Sequence, residues 1–356
     1  MENVKIASGG TRFVVIAASL VIIITGLNVA QSVVVLFLVS MFLALLGALP
    51  LAWLKEKGVP AGLAVLIVMF VMVATLILIA AQLGSSVSSF ISELPELQRG
   101  LREQVIFLSK FLTERGIVVS EEFFLDYINP EKIMGLTAGL FTGVSSILSD
   151  IVLILLTVTF ILLEVASFPI KLRAVLGDPK QAFPQFTKFA VDMKRYMVIK
   201  TLINLLVGIC ITVLMVALDV QFPILWGFLA FLLHYIPNIG SVIAAIPAAL
   251  LALIQIGPGT ALLVLGGNLV VGFLVGNVLE PRMMSRSLNL STLVVFLSLI
   301  IWSSLLGLVG AILCIPLTIS MKFAFESDER TKWIAVLLGS ENIKESVFMG
   351  KKKEKL

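Results

Sequence analysis

Four long stretches of this chain contain no charged side chain, and they constrain its fold more than any other feature of the sequence. The charged residues that bound them are Arg12 and Lys55, Lys57 and Glu93, Asp219 and Glu280, and Arg286 and Lys322. A bilayer core about 30 Å thick is crossed by roughly 20 helical residues, so each stretch can cross at least once. The apolar runs are nearly continuous, whereas the strands of a membrane β-barrel alternate between apolar and polar residues. Charged residues make up only 13% of the chain, against about 25% in soluble domains, and the sequence therefore predicts an all-α polytopic membrane protein.

Charge and apolarity also divide the chain into six segments, with about five to six full spans. The predicted segments are N-terminal scaffold spans at 1–83, an amphipathic helical insert outside the bilayer at 84–135, a long helix and fourth span at 136–164, a basic linker at 165–200, a transport unit at 201–325 and a charged tail at 326–356. Pro95 suits the first turn of a helix, so we expect a helix to begin near it within the insert.

The charges of the loops predict the orientation of the spans. Residues 165–200 are strongly basic, and the positive-inside rule places such a loop in the cytoplasm. Counting spans from it puts the insert outside and both chain termini in the cytoplasm. We therefore expect a multi-pass protein of a bacterial inner (plasma) membrane whose basic excess reflects orientation, and we predict no nucleic-acid partner.

Two long apolar pieces in the C-terminal half are interrupted by proline and glycine. They span residues 222–256 and 287–321, and each follows an ordinary span. The first is broken around Asn238 and the second around Gly310. Because one crossing separates the two units, they are expected to be inverted relative to each other, which is typical of transporters built from repeats. The spacing is compatible with re-entrant hairpins and with pairs of short crossings.

The first break has the composition of a cavity wall. Irregular backbone at membrane depth is tolerated where it is buried in protein or lines a wet cavity. Pro237 removes a backbone donor, Gly240 permits positive φ, and Asn238 can replace lost backbone partners. A helix restarting near Ser241 would aim its N-terminal amides at an electronegative group of a solute. The alternative is a kink that only packs two helices together.

A second polar cluster follows, and we predict that it contributes to the same pathway. Asn277 and Glu280 are three residues apart, a spacing that places side chains on one face of a helix. Glu280 could bind a cation or carry a proton, or it could form an interfacial ion pair with Arg282. The other predicted pathway residues are Asn268, Arg282, Ser291 and Thr292, with His234, Asn204, Gln255 and Gly310 as weaker candidates.

The sequence contains no signature of an enzyme. HExxH and GxSxG motifs are absent, and a single histidine cannot assemble a zinc site unaided. No P-loop is present, so ATP-driven transport would need another chain. We predict no catalytic residue, metal or cofactor.

Three motifs in the C-terminal half resemble those of the autoinducer-2 exporter family. They are Pro237-Asn238-Ile239-Gly240-Ser241, the run from Gly276 to Arg282, and the run from Leu290 to Leu299. The resemblance implies export of autoinducer-2, a small, polar, hydroxyl-rich signal, and assembly as a homo-oligomer. Export coupled to a proton gradient and export coupled to a sodium gradient are both compatible with it. It also implies an alternative, since some relatives resemble sodium/proton antiporters.

One departure from the family pattern concerns the second break. Related sequences commonly carry Gly-Pro-Val-Gly there, whereas this chain has Gly307-Leu308-Val309-Gly310.

A further alternative is a membrane scaffold or regulator that transports nothing. The concentration of helix breaks and amides within the apolar half favours transport by alternating access over that alternative.

Overall fold

The uninterrupted apolar runs form helices because a helix satisfies all its backbone hydrogen bonds within one segment. The computed structural model describes residues 9–115, 135, 138–143, 149–176, 184–283, 290–328 and 330–339, and these contain no strand. The helices are α1 Gly9–Val29, α2 Gln31–Glu56, α3 Ala61–Glu114, α4 Ile151–Leu176, α5 Pro184–Ala217, α6 Pro223–Leu233, α7 Gly240–Gln255, α8 Pro258–Leu274, α9 Glu280–Met283, α10 Thr292–Ile312, α11 Cys314–Glu326 and α12 Lys332–Leu337.

The lengths and composition of these helices confirm the all-α polytopic membrane fold. Within the described residues, five helical segments are long and apolar enough to cross a membrane: Gln31–Glu56, Ala61–Glu93, Phe189–Ala217, Pro258–Met283 and Thr292–Ile312. Shorter apolar segments lie in α1, α4, α6 and α7.

Helices α2, α3 and α4 pack together through small residues on α2. Ser40, Ala44 and Gly47 are buried there, and a Cβ at Gly47 would lie 3.4 Å from both Val68 and Leu162. The hydroxyl of Ser40 also donates to the carbonyl oxygen of Leu36 in its own helix. This close approach of backbones is the usual way in which helices associate in a bilayer.

Helix α3 continues well beyond the predicted end of the third span. The sequence predicts a span ending at residue 83 and a new helix near Pro95, but α3 runs unbroken to Glu114 with Pro95 inside it. Pro95 is exposed, whereas Phe90, Leu97 and Leu101 are buried in the main apolar core. Tertiary packing on both sides of the proline therefore outweighs the hydrogen bond that it removes.

The predicted basic linker is largely helical. Helix α4 extends to Leu176 and α5 begins at Pro184, so both helices enter the range 165–200. Residues 116–134, which belong to the predicted insert, lie outside the described residues.

Helices α5 and α8 are antiparallel neighbours, and their ends define two sides of the molecule. Lys200 on α5 contacts Glu280, the first residue of α9, at the far end of the span that α8 begins. Leu214 of α5 packs on Gly267 of α8. The C-terminal end of α5 and the start of α8 thus lie on one side, which we call the Gly257 side. We call the opposite side, where α10 begins, the Ser291 side.

Helices α6 and α7 form hairpin 1, which enters and leaves on the Gly257 side. Gly227 on α6 packs on Gly208 of α5, and Ser241 at the start of α7 packs on Gly272 of α8. Because α7 has 16 residues, its tip lies about 24 Å from the Gly257 side at 1.5 Å per residue. We call residues 234–239, between the two helices, tip 1.

Helices α10 and α11 form hairpin 2, which enters from the Ser291 side. The indole Nε1–H of Trp302 donates to the hydroxyl of Thr318 across the hairpin at 3.1 Å, and Phe323 stacks on Phe189 near the start of α5. The two hairpins therefore point in opposite directions, as the predicted inversion requires.

The backbone break in hairpin 2 lies at Gly307, three residues before the predicted position at Gly310. Gly307 has φ 62° and ψ −143°, a conformation essentially restricted to glycine. Gly310 is needed for a different reason, since a Cβ there would collide with the carbonyl oxygen of Trp302.

Candidate functional site

The centre of the site is an ion pair that joins the two ordinary spans of the C-terminal half. The Lys200 ammonium lies 2.8 Å from Oε1 and 2.9 Å from Oε2 of Glu280, and it donates to both. The Lys200 side chain is 5% exposed and that of Glu280 is 22% exposed. Since Lys200 is 17 residues from the end of α5, the pair lies about 25 Å from the Gly257 side and nearer to the Ser291 side.

A π-helical turn at Val275–Leu279 leads directly into Glu280. Its i→i+5 hydrogen bonds accommodate an extra residue, so it re-aims the side chains that follow. Asn277 within the turn is exposed, whereas Glu280 faces Lys200. The three-residue spacing consequently does not bring Asn277 to the pair, and the exposed Arg282 is not the partner of Glu280.

Tip 1 is fastened to α5 one turn beyond Lys200. With its amide oriented to satisfy both neighbours, Asn204 donates to the Lys200 carbonyl at 3.1 Å and accepts from the Tyr235 N–H at 3.2 Å. The hydroxyls of Thr201 and Tyr235 are 2.7 Å apart, and the Tyr235 ring also packs edge-on against Phe42 of α2. These contacts place tip 1 beside the ion pair.

The predicted motif residues form the irregular part of tip 1. Asn238 has φ +61° and is exposed, Pro237 is half-buried, and Gly240 is buried at the start of α7. A Cβ at Gly240 would collide with the carbonyl oxygen of Leu233. The glycine therefore allows the two helices of hairpin 1 to meet at their ends.

Hairpin 2 reaches the same region from the other side of α5. Val309 and Leu313 pack with Met193, Tyr196 and Met197 in one buried cluster. Tyr196 also lies near Glu280, Tyr235 and Cys314 of α11. Both hairpins thus border the turn of α5 that carries Lys200.

His234 begins tip 1, and its imidazole is buried. The residue is 8% exposed, its Nε2 has no hydrogen-bond partner among the described residues, and it lies within electrostatic range of Lys200.

The structure places two other amide candidates away from the pair. Asn268 is buried on α8 and donates to the carbonyl of Val264 in its own helix at 2.9 Å. Gln255 lies at the opposite end of α7 from tip 1, next to Ile254, which packs on Gly100 of α3. Both are further from Glu280 than the sequence suggests.

The remaining candidates lie on hairpin 2. Ser291 and the exposed Thr292 begin hairpin 2, and the Ser291 N–H donates to the carbonyl of Leu338 at 3.1 Å. Gly310 lies near the end of α10, where it packs on Trp302.

Sequence reasoning missed four residues of the site. Tyr196 and Lys200 belong to the predicted linker, Thr201 is the first residue of the predicted transport unit, and Tyr235 is part of tip 1. One signal was available for Lys200. Glu280 is the only acidic residue between Asp219 and Glu326, and Lys200 directly precedes an uncharged span. A lone carboxylate beside an apolar region needs a cationic partner, and Lys200 meets that requirement better than Arg282. In the described part of the chain no three His, Cys, Asp or Glu side chains cluster as a metal site would require.

Comparisons with known proteins identify relatives along nearly the whole chain. The AI-2E family transporter profile matches residues 16–328. The chain is 40% identical to the AI-2 transport protein TqsA of Escherichia coli K12 over 342 residues, which cover 96% of this chain and 99% of the relative. It is 35% identical to the putative transport protein YhhT of the same organism, covering 95% and 97% of the two chains, and 34% identical to a putative transport protein of Haemophilus influenzae, covering 90% and 94%. A profile match over most of the chain, together with these near full-length similarities, means that the chain belongs to the AI-2E family of transporters.

Proposed function

We propose that this transporter exports a small, polar signal molecule of the autoinducer-2 class by alternating access. The observation that carries the proposal is the convergence of two oppositely inserted hairpins on the Lys200–Glu280 pair. Two hairpins of this kind can take turns in closing a site from opposite sides of a membrane. The substrate class is supported by the name of the Escherichia coli relative that is 40% identical, the AI-2 transport protein TqsA.

The conformation of the site fits the loading step of an exporter. Hairpin 1 covers the pair from the Gly257 side, while Glu280 and Asn238 retain exposure near the Ser291 side. We assign the Ser291 side to the cytoplasm of a bacterial inner membrane, because the basic start of α5 lies there. Lys55 and Lys57 precede α3, which packs at Gly100 on the base of hairpin 1 near the Gly257 side, so they belong to the Ser291 side as well. Both chain termini are then cytoplasmic.

Cysteines introduced at Glu114 and Glu326 should react with an impermeant thiol reagent from outside and from inside, respectively, and the reverse pattern would contradict this orientation.

The proposed division of labour has 201–325 as the mobile unit and 1–83 as a scaffold and subunit interface. The exposed apolar surface of α1 and the family resemblance support a homo-oligomer. Light scattering of the purified chain in detergent would contradict this assembly if it gave the mass of a monomer.

The experiment that tests the transport proposal is efflux of labelled autoinducer-2 from proteoliposomes, with and without proton or sodium gradients. We expect the wild type to release the signal and Glu280→Gln to lose any gradient-driven component. Asp192→Asn, which neutralises an exposed acid on α5, is the matched control and should behave as wild type. Thermal unfolding of each variant separates loss of transport from loss of folding.

Two results would change the assignment. If the wild type moves no autoinducer-2 but exchanges sodium for protons, the protein is an antiporter. If it moves neither, the scaffold alternative is favoured. Efflux that is unaffected by Glu280→Gln would leave Glu280 a structural role in joining α5 and α8.

A further inference from the structure

His234 carries one of two buried side-chain atoms that lack a hydrogen-bond partner within the described residues; the other is Oε1 of Gln255. An unsatisfied buried polar group costs about 1–3 kcal/mol. A leucine would fill a similar space in hairpin 1 without that cost. Such an orphaned group in a native structure calls for an explanation.

The position of His234 distinguishes it from Gln255. His234 follows the last residue of α6, and its neighbour Tyr235 is fixed by Asn204 and Thr201. The imidazole therefore lies at the depth of the ion pair, within electrostatic range of Lys200. Gln255 lies at the far end of α7.

The charges around His234 favour an uncharged ligand. Lys200 and Glu280 neutralise each other through two hydrogen bonds, and no charged residue occurs between Asp219 and Glu280. A cation or a carboxylate added here would be a buried charge without a partner, which is strongly unfavourable. A hydroxyl group both donates and accepts, as does a neutral imidazole.

We propose that Nε2 of His234 binds a hydroxyl group of an uncharged, polyhydroxylated solute, while Lys200 and Glu280 remain paired. The inference rests on the proposed transport function and adds a solute-contacting residue to it. Access to Nε2 requires tip 1 to move, because that nitrogen is covered in the present conformation. Tip 1 consequently forms part of the binding site as well as part of the barrier.

A purely structural histidine would behave differently on substitution. His234→Leu removes the orphaned nitrogen, so both interpretations expect its melting temperature to equal or exceed that of wild type. If His234 binds solute, His234→Leu should also raise KM for efflux about tenfold, since about 1.4 kcal/mol of lost hydrogen bonding is a factor of 10. His234→Gln retains a donor and an acceptor and should recover part of the loss. Gln255→Leu removes the other orphaned atom and should leave KM unchanged.

The chain contains a single histidine, which allows a direct test that does not depend on transport. The full chain, with any affinity tag removed, is labelled with ring-¹⁵N histidine in nanodiscs, so that the NMR signals report on His234 alone. Autoinducer-2, D-ribose as a neutral polyol, acetate and sodium chloride are titrated separately.

We expect a saturable shift of the Nε2 resonance with at least one neutral polyol, and none with acetate or sodium chloride. A shift with ribose but not with autoinducer-2 would support the site and contradict the autoinducer-2 substrate. Absence of a saturable shift with both polyols, a shift with sodium chloride alone, or an unchanged KM in His234→Leu would overturn the inference.

Discussion

The unequal burial of Lys200 and Glu280 predicts that removing one side chain destabilises the protein more than removing the other. Breaking a buried ion pair by removing one member costs about 3–5 kcal/mol when the other charge is left buried. Glu280→Gln leaves the Lys200 ammonium in a pocket where its side chain is only 5% exposed, so we expect about 3 kcal/mol of destabilisation. Lys200→Met leaves the Glu280 carboxylate, whose side chain is 22% exposed and keeps part of its hydration, so we expect roughly half that cost.

These energies translate into measurable melting temperatures. A loss of 1 kcal/mol lowers the melting temperature by about 2 °C near the lower end of the range for larger chains. We therefore expect falls of about 6 °C for Glu280→Gln and about 3 °C for Lys200→Met, measured by thermal unfolding in detergent. The double variant leaves no unpaired charge, so it should unfold no more than about 3 °C below wild type. Arg195→Gln, an exposed position on the same helix, should have no effect.

The double-mutant cycle can refute this reasoning in two ways. If the falls of the single variants add in the double variant, the two side chains do not interact energetically. If Lys200→Met is the more damaging single change, the carboxylate is the more desolvated member, and the unequal burial of the pair is misjudged.

Three further substitutions test how the tips are held. Asn204→Leu leaves the Tyr235 N–H only its 3.3 Å bond to the Leu232 carbonyl. The loss of the bond to Asn204 should destabilise the chain by about 0.5–1.5 kcal/mol, measured by the same thermal assay, and an unchanged melting temperature would contradict the fastening of tip 1 to α5. Gly240→Ala places a Cβ against the carbonyl at the end of α6 and should abolish efflux, whereas Gly266→Ala meets no atom within 4 Å and should be tolerated; equal efflux in the two would argue against the close approach. Gly307→Ala forces a non-glycine residue into the conformation at the break of hairpin 2 and should cost about 1–3 kcal/mol, and an unchanged melting temperature would show that the break can relax.

The sequence predicts the elements that bilayer physics dictates. Charge-free runs define the spans because an unpaired charge in hydrocarbon is costly. Pro237, Asn238 and Gly240 mark the first break because each disfavours a regular helix. Both inferences use only local sequence, and the structure has helices and a turn at those positions.

The features that sequence reasoning misplaced depend on distant contacts. Lys200 and Glu280 are 80 residues apart. The local sequence therefore does not distinguish the buried Lys200 from the other basic residues near it on α5. Helix α3 continues through Pro95 because it is packed before and after the proline. A local sequence pattern does not show that packing, so the sequence predicted a new helix there. The sequence likewise does not show the π-helical turn, which directs Asn277 and Glu280 to different faces of the span.

Helix α3 has a mechanical consequence that follows from its length. Its 54 residues make a rod of about 80 Å at 1.5 Å per residue. At Gly100 this rod touches Ile254, the penultimate residue of α7, so closely that a Cβ would lie 2.7 Å from the isoleucine side chain. A tilt of about 5° around Thr75 would carry Glu114 through about 5 Å, because the arm between them is about 60 Å long. Gly100 lies about two-thirds of the way from Thr75 to Glu114, so the same tilt would move the contact with Ile254 by about 3 Å. A displacement of the outer end of α3 is therefore felt at the base of hairpin 1.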